Sequence, residues 1–208
     1  MKLIYEKPIF IDFAWLISVL SSSMECYNDE CMGLLGGELR GNGLQLFATP
    51  LLTAERGHDT VHYNNHPDKF ELSKEVINSL GLNVVGCYHS HPNDSPTPSD
   101  DDILCSILEH ITLDSQDISS FDWRLEMIIG ISKIDYKYNF NPTFSFKTDD
   151  YSITGKIKHG HNGWNINIKG HWIQPVELLD EGYYPNRQPA IFELKTKKFP
   201  SAWIWISE

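Results

Sequence analysis

His89-Ser90-His91-Pro92-Asn93-Asp94-Ser95-Pro96-Thr97-Pro98-Ser99-Asp100-Asp101-Asp102 is the stretch on which the reading of this chain turns. Just before it, Val84-Val85-Gly86-Cys87-Tyr88 is apolar and β-branched, the composition of a buried strand that runs on through the histidines and ends at Pro92. Two histidines at i and i+2 on a strand share a face, with Cα atoms about 6.6 Å apart. That separation lets both imidazoles reach one metal ion at about 2.0–2.1 Å. The proline-punctuated loop Pro92 to Pro98 then turns the chain into a helix predicted from about Asp100 to Ile111, with Ile103, Leu104, Ile107 and Leu108 as its buried stripe. An aspartate in the first turn of that helix supplies a third ligand, and spacing alone leaves Asp100, Asp101 and Asp102 open. Two histidines and one carboxylate leave a fourth position for water, the catalytic rather than the structural zinc pattern.

Outward from this stretch, strands and helices alternate. Leu3 to Asp12 reads as a strand that tolerates Pro8 at an edge. Phe13 to Met24 reads as a buried helix through Phe13, Leu16, Ile17 and Leu20. Glu30-Cys31-Met32-Gly33-Leu34-Leu35-Gly36-Gly37 reads as a core strand that ends in a turn, and Leu44 to Leu51 as a further strand. A second helix is predicted over His66 to Leu80, through Phe70, Leu72, Val76 and Leu80, with Gly81 as its stop. Trp123 to Ile131 is another strand. Beyond Tyr136 the texture turns aromatic and β-rich, with a hairpin predicted around Asn162-Gly163. The division expected is a core over residues 1–135 and a β-rich extension over residues 136–208 packed on it.

Composition narrows the function classes. The 208 residues, 41% hydrophobic and 22% charged, are those of an ordinary folded domain. A net charge of −11 without a Lys/Arg cluster argues against nucleic acid as a partner, since such binders work by releasing counterions from basic patches. A neutral or basic protein suits it better. Cys26, Cys31, Cys87 and Cys105 form no CxxC pair and no secreted framework, so a cytoplasmic setting is expected. The apolar run Phe13 to Leu20 resembles a signal peptide only faintly, because Glu6 and Asp12 stand where a positive region belongs. No segment approaches the ~20 apolar residues of a membrane span.

At this point the sequence resembles the JAB/JAMM (MPN) zinc metalloprotease family. His89-Ser90-His91, seven residues, Ser99, two residues and Asp102 match the family's motif at every defined position, and Glu30-x-x-Gly33-Leu34-Leu35-x-Gly37 is similar to its upstream glutamate strand. The likeness covers roughly residues 5 to 135. It implies an α/β fold of the MPN type, a curved mixed sheet flanked by helices and related to cytidine deaminases. It also implies a Zn2+ cofactor on His89, His91 and Asp102, with Glu30 moving the proton and Ser99 assisting the oxyanion. The implied substrate is the amide or isopeptide bond at the C-terminus of a ubiquitin-like protein. A compact bacterial-type member would act beside E1-like and E2-like conjugation enzymes, including in antiviral defence. The rival expectations are a small-molecule amidase and an inactive MPN scaffold.

The same residues admit other readings. Ser99-x-x-Asp102 would also cap a helix with no metal present. Cys87 shares the histidines' face but lies about 13 Å from His91 along an extended strand, which suits a buried structural thiol. Ser90 points to the opposite face and suits a packing hydrogen bond. Glu25 is the alternative to Glu30. The pair His159 and His161 lies in a Gly/Asn-rich turn with no suitably spaced carboxylate. Trp164, Trp172, Trp203 and Trp205 read as core.

Overall fold

The computed structural model describes residues 8–41, 43–47, 51–52, 67–99, 102, 124–134, 143–147, 152–159, 161–182, 191–198 and 204–207. In chain order the elements are β1 (Ile9–Asp12), α1 (Phe13–Glu25), β2 (Met32–Arg40), β3 (Gly43–Phe47), β4 (Leu51–Leu52), α2 (Pro67–Ser79), β5 (Asn83–Pro92) and β6 (Arg124–Ile134). They continue with β7 (Thr143–Lys147), β8 (Ser152–His159), β9 (Asn162–Gly182), β10 (Ile191–Lys198) and β11 (Ile204–Ser207). The strands make one sheet in the order β11-β1-β3-β2-β5-β6-β9-β8-β7, with β4 on β2 and β10 on β9. Pairing is parallel at β1/β11, β1/β3 and β5/β6 and antiparallel elsewhere. This is the α/β, curved mixed sheet expected from the sequence. Strands from the C-terminal third extend it at both ends, β9 along β6 and β11 along β1.

Strand alternation sorts β5 and β6 into two faces. On one, Tyr88, Leu125, Met127, Ile129 and Ile131 join Trp15, Leu16, Val19, Leu20 and Met24 of α1 in the main core. The ring of Trp15 meets Tyr88 edge-on at 6.3 Å. On the other, Met32, Leu34 and Cys87 pack with Phe70 and Ile77 of α2. Both histidines lie on this second face, since Met32 pairs with His89 and Leu34 with Cys87.

Both helices form where expected, but their buried stripes differ. In α1 the stripe centres on Trp15, Val19 and Ser23, and Ile17 is turned out, 49% exposed. In α2, Phe70, Ser73 and Ile77 face the sheet, whereas Leu72, Val76 and Leu80 are 61%, 41% and 68% exposed. At about 100° per residue, spacing i, i+3, i+7 returns to one side of a helix. The i, i+4, i+8 spacing of the three outward residues places them together on the far side. The hairpin is shifted too: Asn162 and Gly163 belong to the ladder, paired with His159 and Lys158, and His161 lies in a turn before them. Residues 3–7, all of the helix expected over 100–111 except Asp102, and Trp203 lie outside the described residues.

Candidate metal centre

The site is built at the carboxyl end of β5. A parallel β5/β6 pair requires a long crossover between its strands, and the loop after Pro92 begins it. Asn93 takes a left-handed backbone conformation (φ 60°), which asparagine tolerates better than most residues. Its amide donates to Ile131 O at 2.7 Å and its side chain accepts the Tyr27 hydroxyl at 2.6 Å. Gly130, opposite His91, lets the loop lie on the sheet; a Cβ there would sit 2.8 Å from Asp94 O and 3.1 Å from Pro96 Cδ. His171 on β9 donates from Nε2 to Pro96 O at 3.0 Å. Pinned this way, the loop returns Asp102 to the histidines.

Asp102 is helical, and it exchanges hydrogen bonds with Ser99: Ser99 N–H donates to Asp102 Oδ2 at 2.6 Å, and Asp102 N–H to Ser99 Oγ at 3.1 Å. The cap expected from the sequence therefore exists, and the same carboxylate also faces the histidines. Its Oδ1 lies 3.3 Å from His89 Nε2 and its Oδ2 3.4 Å from His91 Nε2. The two Nε2 atoms are 2.8 Å apart. A tetrahedral ion with arms of about 2.0–2.1 Å has ligand–ligand edges of about 3.3 Å. Each histidine lies at about that distance from a different oxygen of the carboxylate, and the two rings must part by about half an ångström to reach it.

Hydrogen bonding on the far side of each ring assigns the tautomers. His91 Nδ1 is 2.9 Å from the carbonyl of Ser95, and His89 Nδ1 is 2.6 Å from Glu126 Oε1. Carbonyl and carboxylate oxygens only accept, so both Nδ1 atoms carry hydrogen and both neutral rings aim Nε2 lone pairs at one point. Two lone pairs and a carboxylate so arranged call for a cation. Without a metal, a proton is the cation that this arrangement attracts. Burial disfavours a charged His89, yet Asp102 and Glu126 outweigh it and hold its pKa well above 6.5. For His91 burial is likewise outweighed, chiefly by Asp102, and its pKa is raised. Burial would raise the Asp102 pKa, but the two histidines hold it far below the usual carboxylate range.

Glu30 precedes Cys31, which is tied to Ser90 twice: Ser90 N–H to Cys31 O and Cys31 N–H to Ser90 Oγ, both at 2.9 Å. Carrying the β2/β5 register through that pair sets Glu30 across from His91, on the histidines' face by alternation with Met32. Glu25 ends α1, which packs on the opposite face. Ser90 is the buried packing hydrogen-bonder expected, and Cys87 is a buried thiol bonded to Glu126 at 2.8 Å, apart from the ligand cluster. Among the described residues His89, His91 and Asp102 are the group that could hold a metal. His161 is exposed in its turn; Asp100, Asp101, His58, His62, His66 and His110 lie outside the described residues. Trp164 and Trp172 are core. Glu126 was missed. Its signal was a lone carboxylate within the apolar run Leu125 to Ile131.

Residues 14–123, just over half of the chain, match the family described as prokaryotic homologs of the JAB domain. The chain belongs to that family. JAB domains include metalloproteases, and the matched span covers both histidines and Asp102. None of the curated proteins compared with this JAB domain matches it. Among solved structures it is similar to the solution structure of protein DSY2949 from Desulfitobacterium hafniense, at 19% identity and a TM-score of 0.41, over 59% of this chain and 74% of that one. Among the described residues no helix is long and apolar enough to cross a membrane.

Proposed function

We propose that this JAB domain is a zinc-dependent metallopeptidase or isopeptidase that hydrolyses the amide or isopeptide bond at the C-terminus of a ubiquitin-like protein, in deconjugation or precursor trimming. The observation that carries it is the convergence of the two Nε2 atoms and the Asp102 carboxylate at one point, with Glu30 across from His91 by register. His89, His91 and Asp102 would hold the ion. When bound there, zinc polarises the scissile carbonyl and lowers the pKa of water from about 15.7 towards about 7. Glu30 takes the proton of the attacking water and delivers it to the departing amine, which is otherwise a poor leaving group. The Ser99 hydroxyl accepts from Asp102 N–H, and a hydroxyl both accepts and donates, so its own proton serves the oxyanion. The net charge of −11 favours a neutral or basic protein partner, with E1-like and E2-like conjugation enzymes as companions in a bacterial cytoplasm.

The test is mass spectrometry of products after zinc-loaded protein meets ubiquitin-like conjugates, C-terminally extended precursors and small acyl amides. Cleavage immediately after the modifier's last residue, lost in Glu30→Gln, is the expected result. Turnover of the small amides alone would replace this reading with an amidase. No turnover of any substrate by the zinc-loaded protein would leave a scaffold.

A further inference from the structure

The geometry points to Glu126 as the residue that positions His89 for the metal, with Cys87 holding the carboxylate in turn. This rests on the reading of His89, His91 and Asp102 as metal ligands. Glu126 is 1% exposed, and its neighbours Leu125, Met127, Ile128 and Ile129 are all buried hydrophobics. Burying a carboxylate is unfavourable without strong partners, and an apolar residue would suit that strand better. The parallel register sets Glu126 beside Cys87 and Ile128 beside His89, so the glutamate reaches along the strand to the histidine.

Its two oxygens have separate tasks. Oε1 accepts from His89 Nδ1 at 2.6 Å, and Oε2 accepts the Cys87 thiol at 2.8 Å. The first bond keeps hydrogen on Nδ1, so the Nε2 lone pair faces His91 and Asp102, and the nearby negative charge makes that nitrogen a better donor to a metal. The second bond keeps the carboxylate from rotating away. His91 is oriented differently, by the backbone carbonyl of Ser95, which no side-chain substitution removes. Within the ligand pair, therefore, His89 alone depends on a distant side chain. Glu126 touches neither substrate nor metal in this scheme, and it is a positioning residue.

The experiment compares full-length wild type, Glu126→Gln, Glu126→Leu, Cys87→Ala and His91→Ala. Zinc Kd is read by chelator competition. The His89 tautomer is read by long-range 15N–1H NMR of the metal-free protein at a pH where the ring is neutral. Loss of a partner that orients a metal-bound histidine weakens binding by about 10–100-fold. The glutamine variant, whose amide oxygen still accepts, belongs at the low end of that range and the leucine variant at the high end. Cys87→Ala gives a smaller loss, and the Nδ1–H tautomer of the wild type gives way in Glu126→Leu. Wild-type affinity and an unchanged tautomer in Glu126→Leu would overturn the positioning role while leaving the ligands intact. Wild-type protein that binds no zinc, or His91→Ala that binds it fully, would instead overturn the ligand assignment and this role with it. If Glu126→Leu does not fold, the wild-type tautomer still decides, because Nε2–H on His89 contradicts the role.

Discussion

The Nε2 atoms of His89 and His91 face each other at 2.8 Å while both Nδ1 atoms donate on their far sides, to Glu126 and to Ser95 O. Neutral rings held this way repel unless a cation stands between them. Purified protein is therefore expected to hold one zinc per chain, and His89→Ala or His91→Ala to lose it, because two remaining ligands do not hold the ion tightly. Elemental analysis with full zinc in both variants would remove the site.

Asp102 has two tasks, and two substitutions separate them. Asp102→Asn keeps an oxygen for the Ser99 amide but loses the charge facing the histidines, so zinc affinity falls and the metal-free protein loses its ion pairs with His89 and His91. Ser99→Ala removes the cap and is expected to cost about 0.5–2 kcal/mol in stability while zinc stays bound. It should also lower turnover by about 10²–10³-fold if the hydroxyl meets the oxyanion. A loss of stability with unchanged turnover would confine Ser99 to capping.

Glu30→Gln should retain both fold and zinc and lose about 10²–10⁴-fold in turnover, since the swap keeps shape and removes the proton carrier. Normal turnover in that variant would move the role to another carboxylate.

Stability against pH should change sign with zinc. In metal-free protein the folded pKa values of His89 and His91 are raised above 6.5, so their contribution is full below that pH and is lost as pH rises through the folded values. Asp102 is depressed below 3.8, so its contribution is present above that pH and is lost only as the solution grows strongly acidic. Chelated protein should therefore show a Tm that falls as pH rises above about 6.5 from this cluster. The increment in Tm on adding zinc should grow over the same range, because the ligands must shed protons to bind. A rise in Tm of the chelated protein across that range would contradict the ion pairs.

The face assignment of α2 is open to a stability test. Phe70→Ala is expected to cost about 3–5 kcal/mol, as for other buried aromatics. Leu72→Ala should stay within about 0.5 kcal/mol, as for an exposed position. Denaturant titrations giving the reverse order would restore the Leu72/Val76 face.

Much of the site was legible because its parts are local in sequence. The period of two along a strand puts His89 and His91 on one face, and a helix start returns the Asp102 side chain to Ser99, all within fourteen residues. Choosing Asp102 over its two neighbours needed the family motif, and the fold brings that residue to the histidines. The apolar content of β5 and β6 was likewise a matter of short-range composition.

What only the tertiary structure decided depends on the packing of distant segments. Glu126 stands 37 residues from His89 and reaches it through a parallel register that no local pattern encodes. The buried faces of α1 and α2 depend on which side meets the sheet, and apolar residues alone do not say, because helices also carry them outward. The hairpin turn was displaced from Asn162-Gly163 because the ladder from β8 to β9 extends up to His159 and Asn162. By itself the sequence determined the chemistry of the ligands; the sheet determined how the rings are held, since hydrogen-bond partners across strands are chosen by register rather than by neighbours along the chain.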